Sequence, residues 1–125
     1  MERKKLGIPL VILVFFILFI NYVAMKFHWY SALPWFDMPM HFLGGFWVAL
    51  LVAFILPSRH FSIHFVLKIL AGVLLIGILW EIFEVTLNTI TVKDTFDMVD
   101  TLSDLFFDIV GGLAATLVLY RSSKV

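Results

Sequence analysis

Acidic side chains recur inside segments of the chain that are otherwise strongly apolar. They lie on three such segments, together with one histidine, at Asp37, His41, Glu81, Glu84, Asp100, Asp104 and Asp108. The spacing within each segment is three or four residues, so the side chains of one segment share a face if the segment is a helix. A charged side chain at the centre of a membrane helix costs about 2.5–3.5 kcal/mol, and such groups therefore face a protein interior or a wet cavity.

Several carboxylates gathered in an apolar setting need protons or bound cations to offset their charge. Carboxylate oxygens with one imidazole suit a divalent Mn, Fe, Zn, Mg or Ca ion and disfavour Cu(I). Di-iron and di-manganese bundles offer a loose parallel, because they use Glu-x-x-His where this chain has Glu81-x-x-Glu84. We therefore predict a divalent metal site whose ligands are Asp37, His41, Glu81, Glu84, Asp100, Asp104 and Asp108.

Some of these residues also admit a purely structural explanation. Asp37 and Asp100 each stand near the predicted start of an apolar helix, where Asp is a favoured cap. Asp94 and Asp97 suit a solvated loop, and His41 alone is typical of a hydrogen-bonded packing residue. No such explanation fits the acids deep inside apolar segments, which are Glu81, Glu84, Asp104 and Asp108.

Two residues suggest catalytic roles beside metal binding. Glu84 is a spare carboxylate that would transfer a proton, and Ser103, next to Asp104, is a candidate nucleophile. The absence of cysteine from the sequence excludes disulfides, iron–sulfur clusters, thiolate metal sites and cysteine nucleophiles.

The composition places these residues in a membrane protein. The chain has 125 residues, of which 62% are hydrophobic and 14% charged, whereas soluble domains average about 45–50% apolar and about 25% charged residues. Apolar blocks long enough to cross the bilayer run over about residues 6–25, 38–56, 63–87 and 102–120. The first block is too long for a signal peptide and lacks a cleavage site. We predict an all-α integral membrane protein, a four-transmembrane-helix bundle forming a single domain over residues 1–125.

Basic residues separate to one side of this predicted bundle. Seven of the nine lie with the two termini and the second loop, at Arg3, Lys4, Lys5, Arg59, Lys68, Arg121 and Lys124, whereas Lys26 and Lys93 lie on the other side. Since such residues stay in the cytoplasm, we predict that both termini are cytoplasmic (N-in/C-in) and that every acid except Glu2 lies at or near the external face. The net charge of zero argues against nucleic acid as a partner.

Small and polar residues complete the expectations for packing. Close helix approach is predicted at Gly44, Gly45, Gly72, Gly77, Gly111, Gly112 and Ala115, and such faces are also compatible with a homo-oligomer. Asn21 is expected to hydrogen-bond either a metal ligand or a neighbouring helix. Interfacial positions in the lipid bilayer are predicted for Trp29, Tyr30, Trp35, Phe36, His28, His60 and His64.

The chain resembles the YjdF-type small bacterial inner-membrane proteins in three ordered motifs, D-x-x-x-H-F, E-x-x-E and D-T-x-S-D followed by glycine. In this sequence they are Asp37-Met-Pro-Met-His41-Phe, Glu81-Ile-Phe-Glu84 and Asp100-Thr-Leu-Ser103-Asp104, with Gly111-Gly112 after the last. The order is also similar to that of the broader VanZ-like family, linked in name to teicoplanin resistance, in which the position of Asp108 is often Asn. The resemblance spans about residues 37–112, and it implies a multi-pass protein of the bacterial inner membrane with these motif residues at its functional site.

Three functions are compatible with this pattern. The first is a metal-dependent hydrolase that opens to the outer face and acts on a lipid-linked or envelope substrate. The second is cation or proton transport, because intramembrane carboxylates are expected along ion pathways. The third is a non-enzymatic binder of a cationic envelope ligand, such as a glycopeptide antibiotic.

Overall fold

A computed structural model describes residues 3–56, 60–91 and 97–123 of the chain. All regular structure in these ranges is helical: a 3-10 turn at Arg3–Leu6 is followed by α1 (Gly7–Lys26), α2 (Trp29–Ala32), α3 (Asp37–Ile55), α4 (Ile63–Thr91) and α5 (Met98–Ser123). Four of these helices are long and apolar enough to cross a membrane. The predicted all-α membrane fold with four spans is therefore confirmed. Four residues for which we predicted a side of the membrane, Arg59, Lys93, Asp94 and Lys124, lie outside the described ranges.

Polar turns extend two of the helices beyond their apolar segments. α1 and α3 agree with the predicted spans to within one residue at each end, but α4 continues to Thr91, past residue 87. α5 begins at Met98 rather than at residue 102, and it ends at Ser123 rather than at residue 120. Hydropathy marks the part of a helix that contacts hydrocarbon, and a helix is free to continue beyond it.

Side-chain caps fix where α4 and α5 begin. The Phe65 N–H donates to Ser62 Oγ at 3.2 Å, which caps α4. The N–H groups of Val99 and Asp100 donate to Asp97 Oδ1 at 3.0 and 3.3 Å, so Asp97 caps α5. Asp97 is therefore not merely a solvated loop acid, and the interpretation of Asp100 as the cap of this helix is wrong.

The same interpretation fails for Asp37 at the start of α3. The cap position of this helix is Phe36, and Asp37 is already the first helical residue. Pro39 follows within the first turn, where its missing N–H would have no intrahelical partner. Asp37 therefore lies in the first turn of α3 but does not cap the helix.

α3 and α5 form the central pair of the bundle. α4 packs against both of them, and α1 packs on α3 from the outside. The central pair approaches closely at two glycines: a Cβ at Gly45 would overlap the backbone carbonyl of Asp108, and one at Gly111 would overlap that of Phe42. Close backbone contact at small residues is the usual packing device of helices in lipid.

The other glycines show where α4 fits against this pair. A Cβ at Gly72 would lie 2.7 Å from a methyl of Val52, and one at Gly77 would lie 2.7 Å from the Asp108 carboxylate. Gly44 differs, because a Cβ there would meet nothing within 4 Å. The predicted packing role of the glycines is therefore confirmed at Gly45, Gly72, Gly77 and Gly111 and is wrong at Gly44.

The apolar core occupies one end of the bundle and leaves the other end to polar side chains. Its buried members come from all four long helices and are Leu10, Ala49, Leu50, Ala53, Phe65, Ile69, Val73, Ala115 and Leu119. α1 is attached to this end by the Trp47 indole N–H, which donates to the Leu10 carbonyl at 2.9 Å. The outward side chains of α1, among them Phe15 and Phe19, are exposed, as expected of a helix that faces lipid.

The glycine contacts predict the effect of adding one methyl group at adjacent positions. We expect Gly45→Ala to destabilise the protein by about 1–3 kcal/mol, because its Cβ would force the backbones of α3 and α5 apart. Gly44→Ala is the matched control, and it should be neutral or stabilising by up to about 1 kcal/mol, since Ala is the better helix former. Thermal unfolding in detergent measures both variants, and equal melting temperatures would contradict the packing at Gly45.

Candidate metal centre

The polar end of the bundle gathers acidic side chains from three helices. It lies where α3 and α5 begin and α4 ends. Four ionisable groups of this end are buried, namely His41, Glu81, Asp104 and Asp108, and Asp37 and Glu84 beside them are half-buried. The structure therefore brings together six of the seven residues that were predicted as metal ligands.

His41 is the centre of the contacts between α3 and α5. Its Nε2 lies 3.4 Å from Asp104 Oδ1 and 3.6 Å from Asp37 Oδ2. Its Nδ1 lies 3.0 Å from Asp108 Oδ1. The Nε2 edge of the ring thus faces the carboxylates of Asp37 and Asp104, and its Nδ1 edge faces that of Asp108.

Candidate ligand atoms fall into two sets within the described residues. In the first set, ligand atoms of Asp37, His41 and Asp104 all lie within 4.8 Å of one another. In the second set, the same holds for Glu81, Glu84 and Asp104. Bonds of about 2.0–2.6 Å to a metal ion place neighbouring ligand atoms roughly 3–4 Å apart, so both sets are compatible with ion binding. Asp104 belongs to both.

Two buried oxygens of this cluster receive no hydrogen bond from any donor group among the described residues. They are Glu81 Oε1 and Asp104 Oδ2, on residues that are only 5% and 3% exposed. Buried polar atoms are almost always paired, because leaving one unpaired costs several kilocalories of desolvation. These two oxygens are therefore the clearest indication that the cluster binds something.

The carboxyl groups also crowd one another. Asp104 lies within hydrogen-bonding reach of the carboxyl groups of both Asp37 and Glu81. Ionised carboxylates only accept hydrogen bonds, so such neighbours repel unless a proton or a cation lies between them. The geometry thus concentrates negative charge at Asp104.

Asp108 has a different position from the other acids. It contacts the Nδ1 edge of His41 and lies over Gly77, and it belongs to neither set of candidate ligand atoms. A carboxylate that accepts the second N–H of an imidazole fixes the orientation and tautomer of the ring. The contacts therefore fit a positioning group for His41 rather than a further ligand.

Asp100 and Ser103 lie outside both sets as well. Asp100 is exposed in the first turn of α5, and Ser103 is half-buried on the same helix beside Asp104. The structure does not bring Asp100 into either group of ligand atoms. The role of Ser103 as a nucleophile stays a prediction.

Trp80 holds Glu84 at the edge of the cluster, a contact that the sequence analysis missed. The indole N–H of Trp80 donates to Glu84 Oε1 at 2.9 Å, one helical turn apart on α4. The i, i+4 spacing of the two residues was the available signal, since it places them on the same helix face. One oxygen of Glu84 is thereby fixed, while the other is left for a second partner.

The aromatic loop between α1 and α3 packs beside the cluster. The ring of Phe36, next to Asp37, is buried under Trp29, Tyr30 and Trp35, with ring centroids 5.6, 5.1 and 6.3 Å away. These residues were predicted as interfacial anchors, but their mutual packing makes them a cover over the start of α3. Sequence alone gives no sign of which aromatic residue is buried.

Tyr30 is a member of this loop that interacts electrostatically with two of the acids, Asp37 and Glu84. Its hydroxyl donates to Asn21 Oδ1 at 2.6 Å, so the polar partner of Asn21 is Tyr30 rather than a carboxylate. Burial raises the pKa of Tyr30 above 10.0, and the charges of Asp37 and Glu84 raise it further. Tyr30 therefore remains a neutral hydrogen-bonding group throughout the physiological pH range.

The remaining histidines lie away from the cluster. His28 has a left-handed backbone with φ of 59° and precedes α2, and His64 is exposed in the first turn of α4 at the opposite end of the bundle. His60 lies just before α4 at that same end. Within the described ranges, His41 is therefore the histidine that contacts the acids of the cluster.

The position of Tyr30 predicts how its titration responds to the acids. In the double variant Asp37→Asn/Glu84→Gln, we expect the Tyr30 pKa to fall toward 10, because two negative charges that oppose phenolate formation are removed. Phenolate absorbance against pH measures this change, and Tyr30→Phe identifies the contribution of Tyr30. An unchanged titration would show that Tyr30 does not lie beside these acids.

Comparison with known proteins agrees with a membrane protein of this type. No curated protein and no solved structure matches the chain significantly. A family model described as "Predicted membrane protein (DUF2238)" matches residues 2–124. This match covers nearly the whole chain and agrees with the YjdF-type resemblance of the three motifs. The chain belongs to the DUF2238 family of predicted membrane proteins.

Proposed function

We propose that this membrane protein binds a divalent metal ion at the cluster around Asp104 and is a hydrolase of a lipid-linked or envelope substrate. One observation carries the proposal: Glu81 Oε1 and Asp104 Oδ2 are buried among carboxylates and receive no hydrogen bond from a donor group of the described residues. Mn, Fe, Zn, Mg and Ca all accept oxygen ligands of this kind.

The proposed site opens to the external face of a bacterial inner membrane. Basic residues support this orientation, because Arg3, Lys4, Lys5, Lys68 and Arg121 lie in or near the ends of helices opposite to the acids. Positive residues favour the cytoplasmic side, so the polar end of the bundle is external. Asp37 is half-exposed and Asp100 exposed at this end, which gives a polar ligand access to the cluster.

A bound divalent ion would supply Lewis-acid polarisation of a phosphoryl or acyl group and would make bound water more acidic. Asp37, His41 and Asp104 would hold this ion, and Asp108 would orient His41. Glu84 accepts the proton, because it is half-buried at the edge of the cluster and its position is fixed by Trp80. Ser103 is the alternative attacking group, but no base is placed beside it as Glu84 is beside the cluster.

The proposed class of substrate is supported by the order of the motifs and by the position of the site. The order of the three acidic motifs supports a relationship to the VanZ-like family, whose name is linked to resistance against an antibiotic of the cell envelope. A site at the external end of membrane helices is also where an envelope intermediate or a lipid headgroup is accessible. Both points favour an envelope substrate.

Transport is the less favoured function because of what fills the other half of the bundle. In the described ranges, the end opposite to the acids is packed with apolar side chains, including Ala49, Ile69 and Val73. Ionisable groups are expected along an ion pathway, and none of the buried residues described at this end is ionisable. Flux of Mn²⁺ or protons into liposomes that depends on Asp104 would reverse this preference.

Non-enzymatic binding of a cationic envelope ligand is the other alternative. The exposed carboxylates Asp97 and Asp100 favour it, because they extend the negative surface outward from the cluster. Such binding would survive chelation of metal ions, whereas the proposed hydrolase would lose activity. The two functions are therefore separable by one treatment.

Metal content tests the proposed site directly. We expect protein purified in detergent without chelators to contain divalent metal in at least stoichiometric amount. Asp104→Asn should lower the metal content at least about 10-fold, because it removes the charged ligand that both sets of candidate ligand atoms share. Asp100→Asn is the matched control, since it removes one acid of the same face of α5 that lies outside both ligand sets.

The hydrolase assignment needs its own measurement on the same samples. A bacterial lipid extract serves as the substrate pool, and released phosphate and acyl products are quantified by mass spectrometry. Metal-loaded protein should release product, while chelator-treated protein and Glu84→Gln should not. Stoichiometric metal without any product would reject the hydrolase, and a metal-free wild-type protein would reject the site itself.

The role of Asp108 makes a separate prediction. Asp108→Asn should weaken metal binding by about 10–100-fold without abolishing it, as expected when an oriented imidazole loses its carboxylate partner. Titration of chelator-treated protein with Mn²⁺ measures the affinity. Complete loss of binding, equal to that of Asp104→Asn, would instead assign Asp108 as a ligand.

A further inference from the structure

We infer that the cluster binds two divalent ions, which share Asp104 as a bridging carboxylate. The inference deepens the proposed function and rests on it. One ion would be held by Asp37, His41 and Asp104, and the other by Glu81, Glu84 and Asp104.

The two oxygens of Asp104 face different surroundings. Oδ1 lies 3.4 Å from His41 Nε2, on the side of the first ligand set. Oδ2 is buried and has no hydrogen-bond partner among the described residues. With Oδ1 beside His41, Oδ2 is the oxygen left to a second ion, and a carboxylate that binds through both oxygens can join two neighbouring ions.

Glu81 supports the second ion independently of His41. It comes from α4, whereas the first set comes from α3 and α5. Glu81 is 5% exposed, and its Oε1 has no hydrogen-bond partner among the described residues. Candidate ligand atoms of Glu81, Glu84 and Asp104 lie within 4.8 Å of one another. An ion in the first set alone would leave this buried oxygen unpaired.

Charge balance favours two ions over one. The ligands of both sets include four carboxylates, Asp37, Glu81, Glu84 and Asp104. One divalent ion would leave two of these four negative charges, besides that of Asp108 beside His41, to be offset by protons, whereas two divalent ions offset all four ligand charges. Buried charge without compensation is strongly unfavourable.

Glu84 can serve both the second ion and the proposed proton transfer. A carboxylate has two oxygens with about four acceptor positions, and Glu84 Oε1 already accepts the Trp80 N–H. Its other oxygen is then the ligand of the second ion. Oε1 keeps a lone pair that accepts a proton.

Counting bound Mn²⁺ tests the inference. Chelator-treated protein in detergent is loaded with Mn²⁺ and freed of excess ion, and metal per chain is measured by mass spectrometry. We expect two ions in the wild type, one in His41→Asn, one in Glu84→Gln and none in Asp104→Asn. Asp100→Asn should keep two. Electron paramagnetic resonance should show a coupled pair in the wild type and an isolated-ion spectrum in His41→Asn and Glu84→Gln.

The outcomes separate the two proposals. One ion in the wild type, lost completely in both His41→Asn and Glu84→Gln, would overturn the two-ion inference and leave the proposed metal site intact. A wild type that binds no Mn²⁺ would overturn both. Circular dichroism and size-exclusion chromatography establish that each variant is folded, and if Asp104→Asn fails that check, the His41→Asn and Glu84→Gln counts decide the question.

Discussion

The close contact between α3 and α5 places His41 of one helix against the acids of the other. At Gly45 and Gly111 each helix presents a glycine to a backbone carbonyl of the other, so that no Cβ separates them. Gly45 is one turn after His41, and Gly111 is about one turn after Asp108. The contact thus holds His41 against Asp104 and Asp108.

A second constraint divides the bundle into two ends. Apolar packing around Ile69 and Val73 stabilises one end, where none of the described buried residues is ionisable. At the other end, acids replace part of that packing, and their mutual repulsion opposes close approach of the helices. The fold tolerates this because the apolar end and the glycine contacts fix the helices independently. Bound cations would convert the repulsion into a cross-link between α3, α4 and α5.

Local hydrogen bonds refine the positions of the side chains at the polar end. Asp97 caps α5, which leaves the acids further along that helix free for other contacts. Trp80 fixes one oxygen of Glu84, and Tyr30 engages Asn21 rather than competing for the acids. Each of these hydrogen bonds occupies a group that would otherwise be available to the acids of the cluster. Among the described residues, Glu81 Oε1 and Asp104 Oδ2 are the buried oxygens of the cluster that still lack a hydrogen-bond partner.

The sequence by itself determined that the protein is a helical membrane protein with four spans. Apolar segments of this length have few other stable forms, because a helix satisfies its own backbone in lipid. It also determined that Glu81, Glu84, Asp104 and Asp108 need an interior partner, since burial of a charge is costly wherever it occurs. Helix periodicity sufficed to place acids of one segment on one face.

The tertiary structure determined which acids of each helix face meet in the cluster. Asp108 and Asp104 lie four residues apart on one helix and are equivalent by spacing, yet they contact opposite edges of the His41 ring. Asp100 continues the same stripe and is exposed. Spacing along one helix cannot distinguish these three residues, because their roles depend on the depth and rotation of α5 against α3 and α4. That register is set by glycine contacts between residues more than sixty positions apart in the chain, at Gly45 and Asp108, which no local pattern encodes.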